Sequence, residues 1–136
     1  MSLSTLDSVL AISLGAVLGA NLRWVLGTSL NAYLPHLPLG TLAANLLGAF
    51  LIGLAVALFA ALPTLSAFWR LFFITGFLGA LTTFSTFSSE IFSELQAGRW
   101  SWGVAGIVVH VAGSLVMVGV GMVAFALIRQ LFRGAA

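Results

Sequence analysis

Residues 75–90 read TGFLGALTTFSTFSSE and place six hydroxyl side chains, between positions 82 and 89, in an otherwise apolar chain. Gly76 and Gly79 precede this cluster. Serine and threonine offer the backbone hydrogen bonds that compete with those of a helix, so the segment predicts a helix broken near Gly79–Thr83. Such a break frees carbonyls that can coordinate a cation, and the half-helix after it presents a positive dipole end.

The composition of the rest of the chain is that of a membrane protein. Of its 136 residues, 61% are hydrophobic and 6% are charged, and the mean hydropathy is +1.18. Soluble domains are about 25% charged, so this chain is neither a soluble enzyme, nor a nucleic-acid-binding protein, nor a disordered one. Without cysteine it has no disulfide, thiol nucleophile or Cys metal site. In a bilayer, the predicted break must be covered by protein or by a cavity.

Four apolar helices account for nearly the whole chain, since a spanning helix needs about 20 mostly apolar residues. We predict an all-α membrane protein with four transmembrane helices, the third broken near its middle, forming a single transmembrane domain over residues 1–136. The predicted helices cover about residues 5–30, 37–62, 67–94 with the break near 79–83, and 101–129. Turn residues separate them, and tryptophans near their ends are placed to anchor at the headgroups.

The arginines divide almost evenly between the two faces of such a chain. Arg70, Arg129 and Arg133 fall on one face. Arg99 falls on the other, together with Arg23 if its side chain reaches the interface. So small a bias leaves two interpretations. Either the most C-terminal charges fix one orientation, or the chain inserts both ways and pairs antiparallel with itself.

A few polar side chains inside the predicted spans have both a packing and a functional interpretation. Arg23 lies near the end of the first helix, where it can reach the interface or draw anions into a vestibule. Asn45 can bond a neighbouring helix, or donate its amide hydrogens to an anion or to water. His110 and Ser114 are four residues apart and share a face of the fourth helix. A histidine in this setting is more often a packing residue than a ligand.

Two aromatic residues, Phe84 and Phe87, share one face of the second half of the broken helix because they are three residues apart. Such rings can simply pack. Beside a hydroxyl cluster they can also present their positive edges to a narrow channel and attract a small anion. Edge contacts replace hydration without the deep trap of a buried arginine, as conduction requires. Catalysis is not expected, because the ionisable residues include no close nucleophile and base pair.

Three motifs resemble the signature blocks of the Fluc/CrcB fluoride channel family. They are GAVLGANLRW at residues 15–24, GTLAANLLG at residues 40–48 and GFLGALTTFSTF at residues 76–87. The resemblance implies an antiparallel, dual-topology homodimer in the bacterial inner membrane. It also implies that this dimer exports cytoplasmic fluoride passively through two pores.

The same resemblance implies roles for individual residues near the pores. Phe84 and Phe87 would line the pores, and Asn45 would donate to fluoride beside them. Arg23 would lie near the vestibule. Gly79 would supply a backbone carbonyl to a structural sodium ion at the dimer centre.

Thr82 would supply the second carbonyl to that sodium ion, so that opposed breaks from two subunits offer four hard oxygen donors. Thr83 and Ser114 would belong to the polar lining of the fluoride pathway, and Glu90 would follow the phenylalanines near the pore. His110 is included in the pathway but departs from the family pattern, in which a small hydroxyl residue is more usual.

The sequence is also compatible with two other functions. A small multidrug transporter also has four helices per subunit, but it needs a membrane-embedded carboxylate to exchange protons for a cationic drug. Asp7 is close to the terminus and Glu90 lies toward a helix end, so neither fits well. A non-conducting assembly subunit is supported only by the glycines, which permit close helix packing.

Overall fold

The computed structural model describes residues 3–134, and four helical segments in it are long and apolar enough to cross a membrane. Helix α1 covers Thr5–Leu30 and helix α2 covers Leu39–Ala61. The third span runs over Ala67–Gln96 and contains several elements. The last helix covers Trp100–Gly134 and extends five residues past the predicted end at about 129. It is about 52 Å long at 1.5 Å per residue, which exceeds the thickness of a bilayer core.

The third span changes its backbone conformation along its length. It begins with helix α3, Ala67–Arg70, continues as a π-helix over Leu71–Leu78, and tightens to the short helix α4, Gly79–Leu81. Thr82 and Thr83 then leave the helical region, with ψ of 152° at Thr82 and φ of −147° at Thr83. Helix α5, Phe84–Gln96, resumes after them. The interruption lies at the middle of the span, and the π-helix was not predicted from the sequence.

Glycines bring α1 into direct backbone contact with the third span. A Cβ atom added to Gly15 or Gly19 would collide with the backbone at Phe72 or Phe77, respectively. Gly76 faces α1 in the same way, since a Cβ atom added to Gly76 would lie 3.0 Å from the Cα atom of Gly15. Small residues four apart therefore act here as helix-packing positions, as their spacing indicates.

The last helix, here called α6, also packs closely against α2 at glycine residues. A Cβ atom added to Gly53 of α2 would meet the carbonyl oxygen of Val118, and one added to Gly121 of α6 would meet that of Phe50. The bundle therefore consists of two closely packed helix pairs, α1 with the third span and α2 with α6. The break in the third span lies against α2, which joins the two pairs.

Side chains and glycine conformation determine where α2 begins and α5 ends. The Asn31 side-chain oxygen accepts hydrogen bonds from the Gly40 and Thr41 amides at 2.8 and 3.3 Å, which caps α2 after Pro38. At the end of α5, Gly98 has a φ of 73°, and the Arg99 amide returns to the Glu94 carbonyl at 2.9 Å. This is a Schellman ending, for which glycine is the favoured residue.

Candidate functional site

Asn45, on α2, holds the break in the third span by bonding its backbone. The Thr83 amide donates to Asn45 Oδ1 at 2.8 Å, and Asn45 Nδ2 donates to the Thr83 carbonyl at 3.2 Å. The same Nδ2 lies 3.2 Å from Nδ1 of His110, on α6. Both amide hydrogens of Asn45 therefore have protein acceptors. The contacts satisfy backbone groups that the interrupted helix would otherwise leave unpaired.

Threonine hydroxyls complete the break on either side. The Thr82 hydroxyl donates to the Leu78 carbonyl at 2.9 Å, which ends the first half of the span. Thr83 is the N-cap of α5: its Oγ1 accepts from the Thr86 amide at 3.1 Å and donates to the Thr86 hydroxyl at 3.0 Å. The hydroxyl-rich sequence thus serves local capping as well as any role toward an ion.

An open groove of about 520 Å³ runs along this break, between α2, the third span and α6. It brings together eight of the ten residues that the sequence suggested. They are Asn45, Gly79, Thr82, Thr83, Phe84, Phe87, His110 and Ser114. Because these residues come from three separate spans, their convergence is a property of the tertiary structure.

The two phenylalanines differ sharply in their exposure. Phe84 is 79% exposed, whereas Phe87 is 8% exposed. Their ring centroids are 5.7 Å apart at an interplanar angle of 59°, a tilted rather than stacked arrangement. Phe87 also contacts the His110 ring, with centroids 4.6 Å apart and planes at 33°. The pair therefore contributes one exposed and one buried ring to the lining of the groove.

Arg23 and Glu90 lie outside this groove, in two smaller cavities that share residues with its lining. Arg23 is half-buried and lines a cavity of about 250 Å³ that also contains Thr83. Glu90 lines a cavity of about 230 Å³ that also contains His110. The Glu90 carboxylate accepts a hydrogen bond from the buried Thr41 hydroxyl at 2.6 Å. Sequence reasoning missed Thr41, because only the packing of α2 against α5 reveals this contact.

A second polar cluster at the end of the third span was also missed. Arg99 donates to the buried Glu94 carboxylate through Nε and an Nη nitrogen, at 2.6 and 2.9 Å, and this hydrogen bonding raises the pKa of Arg99. His36 Nδ1 lies 3.4 Å from the same carboxylate, and its ring is 5.5 Å from that of Trp102. The signal in the sequence was Gly98, because glycine is the usual residue at a Schellman ending and this ending brings Arg99 back beside Glu94.

The backbone of Gly79 is the feature that fits a hard cation. In a continuous helix the Thr83 amide would donate to the Gly79 carbonyl, but here it donates to Asn45 Oδ1. Gly79 is exposed and lines the groove together with Thr82. Within residues 3–134, no group of three or more His, Cys, Asp or Glu side chains could hold a metal ion. The oxygens that the break itself offers a cation are those of the backbone and of the threonine hydroxyls.

Comparisons with known proteins agree with the motifs. The family model described as CrcB-like protein, Camphor Resistance (CrcB), matches residues 10–122. A protein of Chromohalobacter salexigens named fluoride-specific ion channel FluC is 65% identical over 124 residues, which cover 91% of this chain and 94% of that protein. A protein of the same name from Pseudomonas putida is 57% identical, over 88% of this chain and 94% of its own length. Another from Marinobacter nauticus is 55% identical, over 90% of this chain and 97% of its own length.

Proposed function

The chain belongs to the CrcB-like family, and we propose that it forms a fluoride-specific channel that lets cytoplasmic fluoride leave the cell passively. The observation that carries this proposal is the groove at the broken third span. It combines two tilted phenyl rings, threonine and serine hydroxyls and one imidazole beside the middle of the third span. The four candidate spans agree with a multi-pass membrane protein, and we place this protein in the bacterial inner membrane.

The groove suits conduction of a small anion because its contacts are individually weak. Among the described residues 3–134, no arginine, aspartate or glutamate lines it. Ring edges and hydroxyls can replace part of the hydration shell of an anion without a full opposite charge that would hold it. Arg23 and Glu90 occupy the neighbouring cavities, where we assign them to the approaches of the pathway rather than to its centre.

We assign a second, antiparallel copy of the chain to the open side of the groove, so that a dual-topology homodimer encloses two pores. Phe84 and Ser85 are exposed at the middle of the third span, beside non-helical backbone at Thr82 and Thr83. In a bilayer such backbone persists only where protein or a water-filled cavity covers it. The near balance of arginines between the two faces supports insertion in both orientations.

A structural sodium ion at the centre of that dimer also belongs to the proposal. The Gly79 carbonyl is released from its helical bond, and Thr82 adjoins it at the break. Two carbonyls do not fill the coordination shell of a cation, so a second copy would complete a set of hard oxygen ligands. The ion would supply positive charge that offsets the dipoles of the free carbonyls.

A flux assay tests the proposed function directly. Liposomes that contain the purified protein and potassium fluoride should release fluoride once valinomycin is added, because valinomycin lets potassium leave with the anion. Liposomes loaded with potassium chloride should retain most of their chloride under the same conditions. Protein-free liposomes are the control. Flux of a cationic drug driven by protons would indicate a small multidrug transporter instead. The absence of both fluxes would indicate a non-conducting subunit.

The phenyl rings give the second prediction. Phe84→Ile or Phe87→Ile should lower fluoride flux by about two- to tenfold, because isoleucine keeps apolar bulk but removes the ring edges, and edge contacts in aromatic pairs are worth about 0.5–1.5 kcal/mol. Flux is measured in the same liposomes, and gel filtration reports whether the assembly survives. Phe132→Ile is the matched control, since Phe132 is exposed near the end of α6 and lies outside the groove. Unchanged flux in both variants would refute the role of the ring edges.

A further inference from the structure

The orientation of the Asn45 amide is dictated by the backbone it contacts. The Thr83 amide can only donate, so the atom of Asn45 that lies 2.8 Å from it must be the acceptor, Oδ1. The other end of the amide is therefore Nδ2, whose two hydrogens are directed at the Thr83 carbonyl and at His110 Nδ1, each at 3.2 Å. Asn45 has no further hydrogen to offer an anion in this conformation.

The protonation of His110 follows from this arrangement. Because Asn45 Nδ2 donates, His110 Nδ1 must accept and carries no proton. A neutral imidazole has one N–H group, so the proton of His110 is on Nε2. An imidazolium ring would instead direct a second N–H at the amide hydrogens of Asn45, which the geometry disfavours.

The His110 ring lies beside two spaces of the proposed pathway, the groove and the cavity that contains Glu90. His110 is 4% exposed and packs on Phe87, yet it lines both the groove and the neighbouring cavity that contains Glu90. The ring is therefore part of the boundary between these two spaces. Ser114, one turn along α6, continues the lining of the groove.

We propose that His110, held as the neutral Nε2–H tautomer by Asn45, is the side chain that donates a hydrogen bond to fluoride where the groove meets the second cavity. Asn45 is the positioning residue, and His110 is the specificity-determining residue. A neutral donor stabilises a partly dehydrated anion without trapping it as a full positive charge would. A rigid donor also favours fluoride over chloride, because fluoride accepts hydrogen bonds more strongly. This inference deepens the proposed function and rests on it.

Two substitutions separate this role from simple ring packing. His110→Gln keeps an amide N–H donor near the Nε2 position but loses the ring, and His110→Phe keeps the ring but loses the donor. Donation to fluoride predicts that His110→Gln retains fluoride flux within about threefold, whereas His110→Phe loses about tenfold or more, the scale of one hydrogen bond to a charged group. If the ring only packs against Phe87, the order reverses, and that result would overturn the inference.

The tautomer can be measured independently of flux. The chain contains two histidines, so a His36→Gln background leaves His110 as the only imidazole. In this background at neutral pH, the nitrogen chemical shifts of ¹⁵N-labelled histidine should show a protonated Nε2 and an unprotonated Nδ1, and adding Asn45→Leu should relax that preference. A protonated Nδ1 in the parent would contradict the inference. If the wild type transports no fluoride, the proposed function fails, whereas wild-type transport with an unaffected His110→Phe variant removes this inference alone.

Discussion

Gly19→Ala is expected to destabilise the folded protein by about 1–3 kcal/mol, the usual effect of forcing one extra carbon into a packed interface. The new Cβ would collide with the carbonyl oxygen of Phe77 and lie 3.0 Å from the Leu81 nitrogen. Both obstacles are backbone atoms, so no side-chain rotation can make room, and α1 must move away from the third span. The measurement is the free energy of unfolding in detergent, followed by tryptophan fluorescence.

Gly119→Ala is the matched control for this substitution. In the part of the chain that the structure describes, no atom outside the helix's own backbone lies within 4 Å of a Cβ atom added at Gly119, so alanine should leave stability unchanged or raise it by up to about 1 kcal/mol through its greater helix propensity. Equal stabilities of the two variants would show that α1 does not pack on the third span as closely as described. This comparison isolates steric contact from the general effect of replacing a glycine in a helix.

Asn45→Leu is expected to have the largest effect on both stability and transport. Leucine has a similar size but cannot bond the Thr83 amide or carbonyl, and a buried polar group left without a partner costs about 1–3 kcal/mol. The break would lose both hydrogen bonds between the Asn45 side chain and the Thr83 backbone, and Thr83 would no longer be held at the groove. We expect a lower free energy of unfolding and a loss of fluoride flux of about tenfold or more.

Asn21→Leu provides the comparison for that result. The exposed Asn21 side chain donates to the Val17 carbonyl of its own helix and to no other group within residues 3–134, so this substitution should change stability by no more than about 0.5 kcal/mol. If Asn45→Leu proved equally mild, then the hydrogen bonds to Thr83 would not be what holds the break. Both variants are compared in the same detergent and with the same unfolding probe.

The membrane character of the chain and its family could be predicted from the sequence. Composition excluded a soluble protein, and the motif at residues 76–87 carried the resemblance that the match over residues 10–122 confirms. The hydroxyl cluster also predicted an interrupted third helix, and the structure has non-helical backbone at Thr82 and Thr83. These features are local, because hydroxyl competition and apolar length act within a few turns of one helix.

The partners of individual polar residues could not be predicted in this way. The sequence offered Asn45 either as a hydrogen-bond partner of a neighbouring helix or as a donor to an anion, but it did not indicate that Thr83 and His110 are the partners of the side chain. It gave no indication that Thr41 binds Glu90, or that the segment Leu71–Leu78 forms a π-helix. Each of these depends on how one helix is rotated and positioned against its neighbours.

By itself, therefore, the sequence determined that this protein is a four-span membrane chain with a hydroxyl-rich break, since these properties follow from local composition. Only the tertiary structure decided which residues meet at the break. Asn45 is separated from Thr83 by 38 positions and from His110 by 65, and only helix packing brings them within hydrogen-bond distance. Glycines permit that packing, because without side chains the helix backbones approach closely enough for short polar side chains to reach across.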